Sequence, residues 1–309
     1  WMAFLVVFLI AKVGFSASLI FYDSMLSDIT DEERMDYVSS QGYAWGYIGS
    51  CVPFVLCLVI VLGSDTFGIR METAMGIAFV LVAVWWLLMS LPLLKNYEQK
   101  YYVEKKPHAI AQSFKRLGET FKNMKEEKQV FMFLLAFFFY IDGVYTIIDM
   151  ATAYGSALGL DSTGLLLALL VTQIVAFPCA IIFGNLSYRI RTEKLITVCI
   201  FAYLGIAIFA VFLKTQLQFW ILAILVGMFQ GGIQALSRSY FTKIIPEEHS
   251  GEYFGLMDIC GKGASFVGTT IVSIVSQLTG NISMGVGMIA ILFCIGIVIF
   301  LKAVSMNKN

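Results

Sequence analysis

Charged side chains recur inside otherwise apolar stretches of this sequence, and their spacing indicates chemistry. Asp142 and Asp149 in FYIDGVYTIID are seven positions apart, so on an α-helix both carboxylates lie on nearly one face, with Tyr145 between them. Such a face suits a cation or a proton. The alternative is structural, with each acid accepting hydrogen bonds from a neighbouring helix. We favour the functional interpretation because burial of an acid in a membrane is costly.

A second pair of charges lies in GEYFGLMDICGKGASFVG, where Asp258 and Lys262 are four positions apart. An acid followed by a base at this spacing can bridge along one helix, which lowers the cost of burial without any ligand. Two interpretations stay open: a structural pair, or a switch that exchanges partners when the protein changes conformation. The glycines around the pair leave room for close contact between helices.

Four further side chains are candidates for binding a ligand. Lys12 is far from both ends of its apolar segment, so we expect a buried partner such as an acid. Asp23 follows it by about three helical turns. Gln230 and Gln234 form one helical stripe with Ser237, and a polar stripe of this kind can bind polar solutes.

The composition is that of a membrane protein. Hydrophobic residues make up 59% of the chain and charged residues only 14%, against about 25% in soluble proteins, and the mean hydropathy is +0.82. Acidic and basic residues balance, and no basic run with interleaved aromatics occurs, so we expect no nucleic-acid partner. The six cysteines are isolated in apolar stretches, which predicts no disulfide, metal site or cofactor.

Nine apolar windows are long enough to cross the roughly 30 Å hydrocarbon core of a bilayer. They predict helices at about 1–27, 39–63, 72–95, 128–156, 162–187, 193–213, 217–242, 251–278 and 282–305. Most connections are short, which favours antiparallel neighbours. The predicted fold class is an all-α integral membrane bundle.

One long polar segment, the linker at 96–127, divides the chain into a first part at 1–95 and a second part at 128–309. Between Lys95 and Lys128, both included, it has nine Lys or Arg against five Glu. Apolar residues recur at helical spacing within it, at Ile110, Phe114, Leu117, Phe121 and Met124. This predicts an amphipathic helix, either on the membrane surface or packed on the end of the bundle. The positive-inside rule then puts the linker and the C-terminus in the cytoplasm.

The chain also contains an internal repeat. SDITDEERMDYVSSQGYAWGYIG, from Ser27, aligns with TKIIPEEHSGEYFGLMDICGKGA, from Thr242, at an offset of 215 positions. Parallel repeats of this kind build the two halves of many transporters. The offset leaves room for three helices before Trp1. We therefore expect a fragment with the last three helices of a first half and all six of a second half.

The stretches FYDSML, VSSQGYAWGYIGS, FFFYIDGVYTIIDMATAYG and QGGIQALSRSYF, with the segment from Gly251 quoted above, resemble the major facilitator superfamily and, within it, the autophagy-related vacuolar effluxer-like family. The resemblance covers essentially the whole chain. It implies a major facilitator-type bundle and a solute carrier that works by alternating access. It also implies that the helices carrying Asp142 and Asp23 line a central cavity. The fungal branch is associated with amino-acid release from the vacuole.

A loop motif adds residues to a predicted gate. GNLSYRIRTEK is similar to a degenerate copy of the superfamily's G-x-L-x-D-R-x-G-R-K loop, in which Gly184 and Arg189 match. The copy departs from the pattern, for example with Arg191 in place of the second glycine. Arg238, near the cytoplasmic end of its helix, is expected to anchor a gate or lipid headgroups.

We expect a secondary-active transporter of a small polar solute, with amino acids as one candidate class and proton coupling as an option. The sequence has no H-E-x-x-H, G-x-S-x-G or P-loop pattern, so we expect neither an enzyme nor catalytic residues. An integral-membrane enzyme and a non-transporting receptor or scaffold are the competing classes, and the buried charges argue against the scaffold. We expect a monomer, embedded in lipid in a bacterial plasma membrane.

Overall fold

All nine predicted windows form helices in the computed structural model, which describes residues 2–101, 113, 118 and 127–306. In these residues no strand is present. The long helices are α1 (Met2–Ser24), α3 (Met35–Leu62), α4 (Met71–Asn96), α5 (Lys128–Ala157), α6 (Ser162–Leu186), α7 (Thr192–Val211), α8 (Gln216–Ile244), α9 (Ser250–Thr279) and α11 (Ile289–Met306). Two short helices, α2 (Leu26–Ile29) and α10 (Ile282–Gly287), complete the series.

Local capping signals set several helix ends. The Asp161 side chain caps α6 by accepting a backbone N–H at 2.6 Å, and Thr215 with Gln218 forms a capping box at the start of α8. Gly280 ends α9 with a φ of 65°, a left-handed conformation that glycine adopts without a steric cost. α3 begins before the predicted residue 39 because its polar first turn, with Asp36, suits a helix N-terminus although it is not apolar.

Two predicted helices are interrupted. The first breaks at Met25, between α1 and α2, and the last breaks at Met288, between α10 and α11. Each pair nevertheless forms one continuous span, Met2–Ile29 and Ile282–Met306. The helical parts of 2–101 and 127–306 thus contain nine spans long and apolar enough to cross a membrane, which confirms the predicted fold class. The predicted amphipathic helix of the linker lies outside the described residues.

The hydrophobic core lies in the second part of the chain. α5 packs against α11 and α9, and α6 packs against α8. Large aromatic side chains fill the centre without exposure, among them Tyr140, Tyr203, Phe133, Phe293 and Phe300. The first part joins this core mainly through α3, which contacts α6 and α8, and through α1, which contacts α9. These contacts between the two parts position the site.

Both copies of the repeat fold in the same way. Each contains a short 3₁₀ turn, Glu32–Arg34 in the first copy and Glu247–His249 in the second, and a long helix follows directly, α3 or α9. One end of the bundle, here called the linker face, holds the end of α4 and the start of α5, together with the starts of α3, α7 and α9 and the ends of α6 and α8. The division into a partial first half and a complete second half stays a prediction.

Candidate functional site

A cavity of about 650 Å³ lies between the two parts of the chain. Seven of the predicted residues line it: Lys12, Asp23, Tyr145, Gln234, Arg238, Asp258 and Lys262. Aromatic rings form much of the remaining wall, including Phe15, Tyr22, Tyr43, Tyr47, Phe137 and Phe254. Its volume is within the range of small-molecule sites, about 300–1,000 Å³. The wall therefore offers both charges and apolar surface to a ligand.

Arg238 is the centre of a polar network that joins α8 to α1 and α3. Its guanidinium donates to Asp23 at 3.0 Å, to the Ser39 hydroxyl at 2.9 Å and to the Ser39 carbonyl at 3.0 Å. The charge also lies over the rings of Tyr22 and Tyr43, at 5.4 and 4.8 Å from their centroids. The arginine is buried, and Asp23 is the partner that compensates its charge. The predicted gating role for Arg238 thus has a specific partner.

Three further charged residues line the cavity, two as an ion pair and one alone. Asp258 and Lys262 form the predicted ion pair along α9, and both side chains remain partly exposed at 24% and 44%. Lys12 lies 5.9 Å from the ring centroid of Phe15. No acid pairs with Lys12 among the described residues, so the expectation of a buried acidic partner was wrong. Lys12 instead faces the cavity, where its ammonium group is open to water or a ligand.

The two acids of α5 lie elsewhere. Asp142 is fully buried between α5 and α9, where it accepts a hydrogen bond from the backbone N–H of Gly268 at 3.0 Å. Asp149 is exposed and accepts a hydrogen bond from Ser265, also on α9, at 3.1 Å. Both carboxylates therefore face α9, as their seven-residue spacing predicts. Of the three residues predicted on this face, the described cavity wall includes only Tyr145.

The glutamine stripe of α8 is divided between the cavity and the core. Gln234 lines the cavity and accepts a hydrogen bond from the Tyr47 hydroxyl at 2.7 Å. Gln230 is buried, with 6% of its surface exposed, and is not part of the described cavity wall. Gln173 of α6, which no sequence pattern identified, also lines the cavity, and its buried side-chain carbonyl oxygen has no hydrogen-bond partner among the described residues. An amide side chain in the middle of a mostly apolar helix was the only sequence feature that could have indicated a polar role for this residue.

A second buried ion pair closes the linker face below Arg238. Asp36 of α3 pairs with Lys243 of α8 at 2.8 Å and accepts hydrogen bonds from Thr192 and Ser239, both at 2.5 Å. Three polar side chains from α7 and α8 thus meet at one carboxylate of α3. The sequence did not indicate this cluster, because Asp36 precedes the apolar window and resembles part of a polar connection rather than the start of a membrane helix.

The predicted loop motif contributes a packing position rather than a charged contact. Gly184 of α6 lies so close to α3 that a Cβ atom there would be 2.7 Å from the Ser40 Cβ. Arg189 is exposed in the connection after α6, without a side-chain partner among the described residues. Gly184 therefore supports the contact between the two parts of the chain on the linker face.

The beginning of the linker is attached to α2. Asp28, which is buried, accepts hydrogen bonds from the Tyr97 hydroxyl and from the backbone N–H groups of Lys100 and Tyr101, at 3.2 and 3.0 Å for the last two. Burial raises the pKa of Tyr97, and the hydrogen bond to Asp28 raises it further. This carboxylate fixes the path of the chain as it leaves α4.

The comparison with protein families is decisive. The model of the family described as "Vacuole effluxer Atg22 like" matches residues 1–309. The chain belongs to this family. The MFS-type transporter YxiO of Bacillus subtilis is 46% identical over 301 residues, which cover 97% of this chain and 70% of YxiO. Autophagy-related protein 22 of Cryptococcus neoformans is 26% identical over 288 residues, 85% of this chain but only 48% of that protein.

Solved structures show the same fold. The Escherichia coli fucose:proton symporter FucP matches with a TM-score of 0.64 at 15% identity, over 91% of this chain and 72% of FucP. A bacterial homologue of the iron transporter ferroportin, in an outward-facing state, matches with a TM-score of 0.59 at 16% identity, over 90% of this chain and 66% of that one. This member of the Atg22-like family is therefore a multi-pass membrane transporter of the major facilitator type, as predicted.

Proposed function

We propose that the protein moves a small polar solute, with amino acids as the favoured class, by alternating access of the cavity to the two sides of the membrane. The observation that carries this proposal is the cavity itself, which combines charged side chains of both signs with aromatic rings. An amino acid has a carboxylate, an ammonium group and a side chain that is often apolar. Each of these finds a complementary group on the wall.

In this proposal the linker face is the gate that is closed. Asp23 with Arg238, and Asp36 with Lys243, each join the first part of the chain to the second across that face. Breaking such contacts and making others elsewhere is how two packed units rock around a central site. We place the linker face in the cytoplasm and the protein in a bacterial plasma membrane, by the charge of the linker and the similarity to YxiO. Two of the structural neighbours, FucP and the ferroportin homologue, are in outward states, which supports a closed cytoplasmic gate.

The family description as an effluxer favours export from the compartment that holds the solute. The structural neighbour FucP is a fucose:proton symporter, which favours a proton as the coupled ion. The acids of α5, Asp142 and Asp149, and the acids of the cavity wall supply candidate proton acceptors.

The test uses the full-length protein in liposomes that contain a pH-sensitive dye, with protein-free liposomes as control. Pools of amino acids, and separately pools of other small metabolites, are added outside. A change of internal pH that depends on both protein and an amino-acid pool is the expected result. If a non-amino-acid pool alone produces the change, the substrate class is wrong. If no pool changes the internal pH and no radiolabelled solute is taken up, the scaffold or receptor alternative replaces the proposal.

A further inference from the structure

Asp142 is a buried acid with an unusual set of partners. Its side chain is 0% exposed, between α5 and α9. The Oδ1 atom accepts two hydrogen bonds, from the Gly268 backbone N–H at 3.0 Å and from the Thr146 hydroxyl at 3.2 Å. The Oδ2 atom is buried and has no hydrogen-bond partner among the described residues. One half of this carboxyl group is therefore bound and the other half is not.

These partners suit a neutral carboxylic acid better than a carboxylate. A carboxylate out of contact with water loses several kcal/mol of hydration, which is recovered only when both oxygens are well hydrogen-bonded or paired with a cation. With a proton on Oδ2, the Oδ1 atom still accepts from both donors and no charge is buried. The O–H group then lacks an acceptor, but an unpaired neutral group costs less than an unpaired charge.

Within 2–101 and 127–306, no cation compensates Asp142. Asp149 on the same helix binds Ser265, and on α9 Asp258 and Lys262 bind each other. Asp142 forms no hydrogen bond or ion pair with the following titratable residues of α5 and of the helices packed against it: Lys128, Tyr140, Tyr145 and Tyr154 on α5, Tyr253 and Cys260 on α9, Cys294 and Lys302 on α11, Arg238, Tyr240 and Lys243 on α8, Cys179 on α6, and Glu193, Lys194, Cys199 and Tyr203 on α7.

The contact depends on a glycine in α9. A Cβ atom at Gly268 would collide with the side chains of Asp142 and Thr146. The two helices can therefore be this close only because residue 268 is a glycine. The same helix presents Asp258, Gly261 and Lys262 to the cavity. A change at Asp142 therefore acts on the helix that forms one wall of the solute site, without any contact between Asp142 and the solute.

We infer that Asp142 is a proton-binding site separate from the solute cavity, which holds a proton while α9 packs against α5 and releases it to water when the two helices separate. The inference rests on the proposed function, since it supplies the proton-binding group of a coupled transporter. Loss of the proton leaves a carboxylate that needs water, so higher pH favours the separated arrangement.

The test is amide hydrogen exchange of the full-length protein, read by mass spectrometry on peptides that cover residues 261–272, without any solute. Wild type and Asp142→Asn are compared at each pH, so that the intrinsic pH dependence of exchange cancels. Asn keeps the acceptor for Gly268 and Thr146 but cannot titrate. At low pH we expect equal exchange, and as pH rises the wild type should exchange about tenfold faster while Asp142→Asn does not.

Two variants complete the design. Asp149→Asn, the same change on the same helix at an exposed site, should keep the wild-type pH dependence. Thr146→Val removes one donor to the carboxylate and should move the rise in exchange to higher pH, which keeps the inference testable if Asp142→Asn does not fold. Identical pH dependence in wild type and Asp142→Asn would overturn the inference. Faster exchange of Asp142→Asn at every pH would do so too, because it indicates a structural role only.

The exchange measurement tests the proton site and the liposome assay tests the proposed function, so each proposal can be contradicted without the other. If α9 exchange shows a pH response that requires Asp142 but the protein transports no solute in liposomes, the proposed function is wrong and the proton site stands. Solute transport in a protein whose α9 exchange lacks this pH response would keep the proposed function and remove the proton site.

Discussion

Asp23 and Arg238 form a 3.0 Å ion pair and lie 215 positions apart, which is also the offset between the two copies of the internal repeat. Extending the repeat by a few residues makes them equivalent positions, an acid in one copy and a base in the other. Equivalent positions of two copies can touch only near the axis that relates the copies. The pair therefore lies where the two parts of the chain have to move against each other if the linker face opens.

Removal of the Asp23 charge should destabilise the protein, because it leaves the buried guanidinium of Arg238 without its ionic partner. For Asp23→Asn we expect a loss of about 1–3 kcal/mol in the free energy of unfolding, less than for a fully buried pair because Asp23 is 31% exposed. Thermal unfolding of the purified full-length protein measures this loss. Arg189→Met is the control, an exposed arginine without a described partner, and should change stability by less than about 0.5 kcal/mol.

Reversal of the pair tests whether the two side chains interact directly. Asp23→Arg alone places two cations together, and adding Arg238→Asp should restore part of the stability that Asp23→Arg loses. The coupling measured by this double-mutant cycle should exceed about 0.5 kcal/mol. Additive losses would contradict a direct interaction between the two side chains.

Much of the fold was predictable from the sequence because hydropathy over long windows reports membrane spans directly. Asp23 lines the cavity, as the family resemblance implies for its helix, whereas the sequence left the surroundings of Asp258 and Lys262 open. The repeat also points to the ion pair of the linker face, because its offset, extended by four residues, pairs Asp23 with Arg238.

The direction in which each side chain points was not predictable. Asp142 and Tyr145 are three positions apart, yet one faces α9 and the other the cavity, and periodicity alone cannot tell which side of α5 meets which neighbour. The same limit hid Gln173, a single polar residue in an apolar helix. The cluster at Asp36 needed contacts between three helices far apart in sequence, which no local pattern contains.

The second ion pair of the linker face should respond unequally to loss of its two members. Lys243→Met leaves the carboxylate of Asp36 buried at 7% exposure, with two hydroxyl donors but no cation, and should cost about 3–5 kcal/mol. Asp36→Asn keeps an acceptor for Thr192 and Ser239, and Lys243 at 19% exposure can reach water, so the loss should be nearer to about 1 kcal/mol. Denaturation of both variants under one condition measures the difference. A larger loss for Asp36→Asn would contradict the described burial.

The close approach of α5 and α9 should make one glycine of α9 irreplaceable and another tolerant. Gly268→Ala would drive a methyl group into Asp142 and Thr146, so we expect a loss of about 1–3 kcal/mol. Gly263→Ala meets nothing within 4 Å and should leave stability unchanged or raise it by about 0.5–1 kcal/mol, because alanine favours the helix. Thermal unfolding of the two variants is the comparison. Equal losses would show that helix propensity, and not the contact with Asp142, determines the result.

The ion pair of Asp258 and Lys262 should matter for transport far more than for stability. Both side chains are partly exposed in the cavity, and exposed pairs one helical turn apart contribute only about 0.3–0.5 kcal/mol. The Asp258→Asn and Lys262→Gln variants should therefore unfold at temperatures close to that of the wild type. Each should lower solute-dependent transport in liposomes at least about tenfold if these charges bind the solute or exchange partners during the cycle, since loss of one charge-assisted hydrogen bond costs about 1.5–3 kcal/mol. Normal transport in both variants would make this pair purely structural, and a large loss of stability would mean that the pair is buried in a conformation other than the one described.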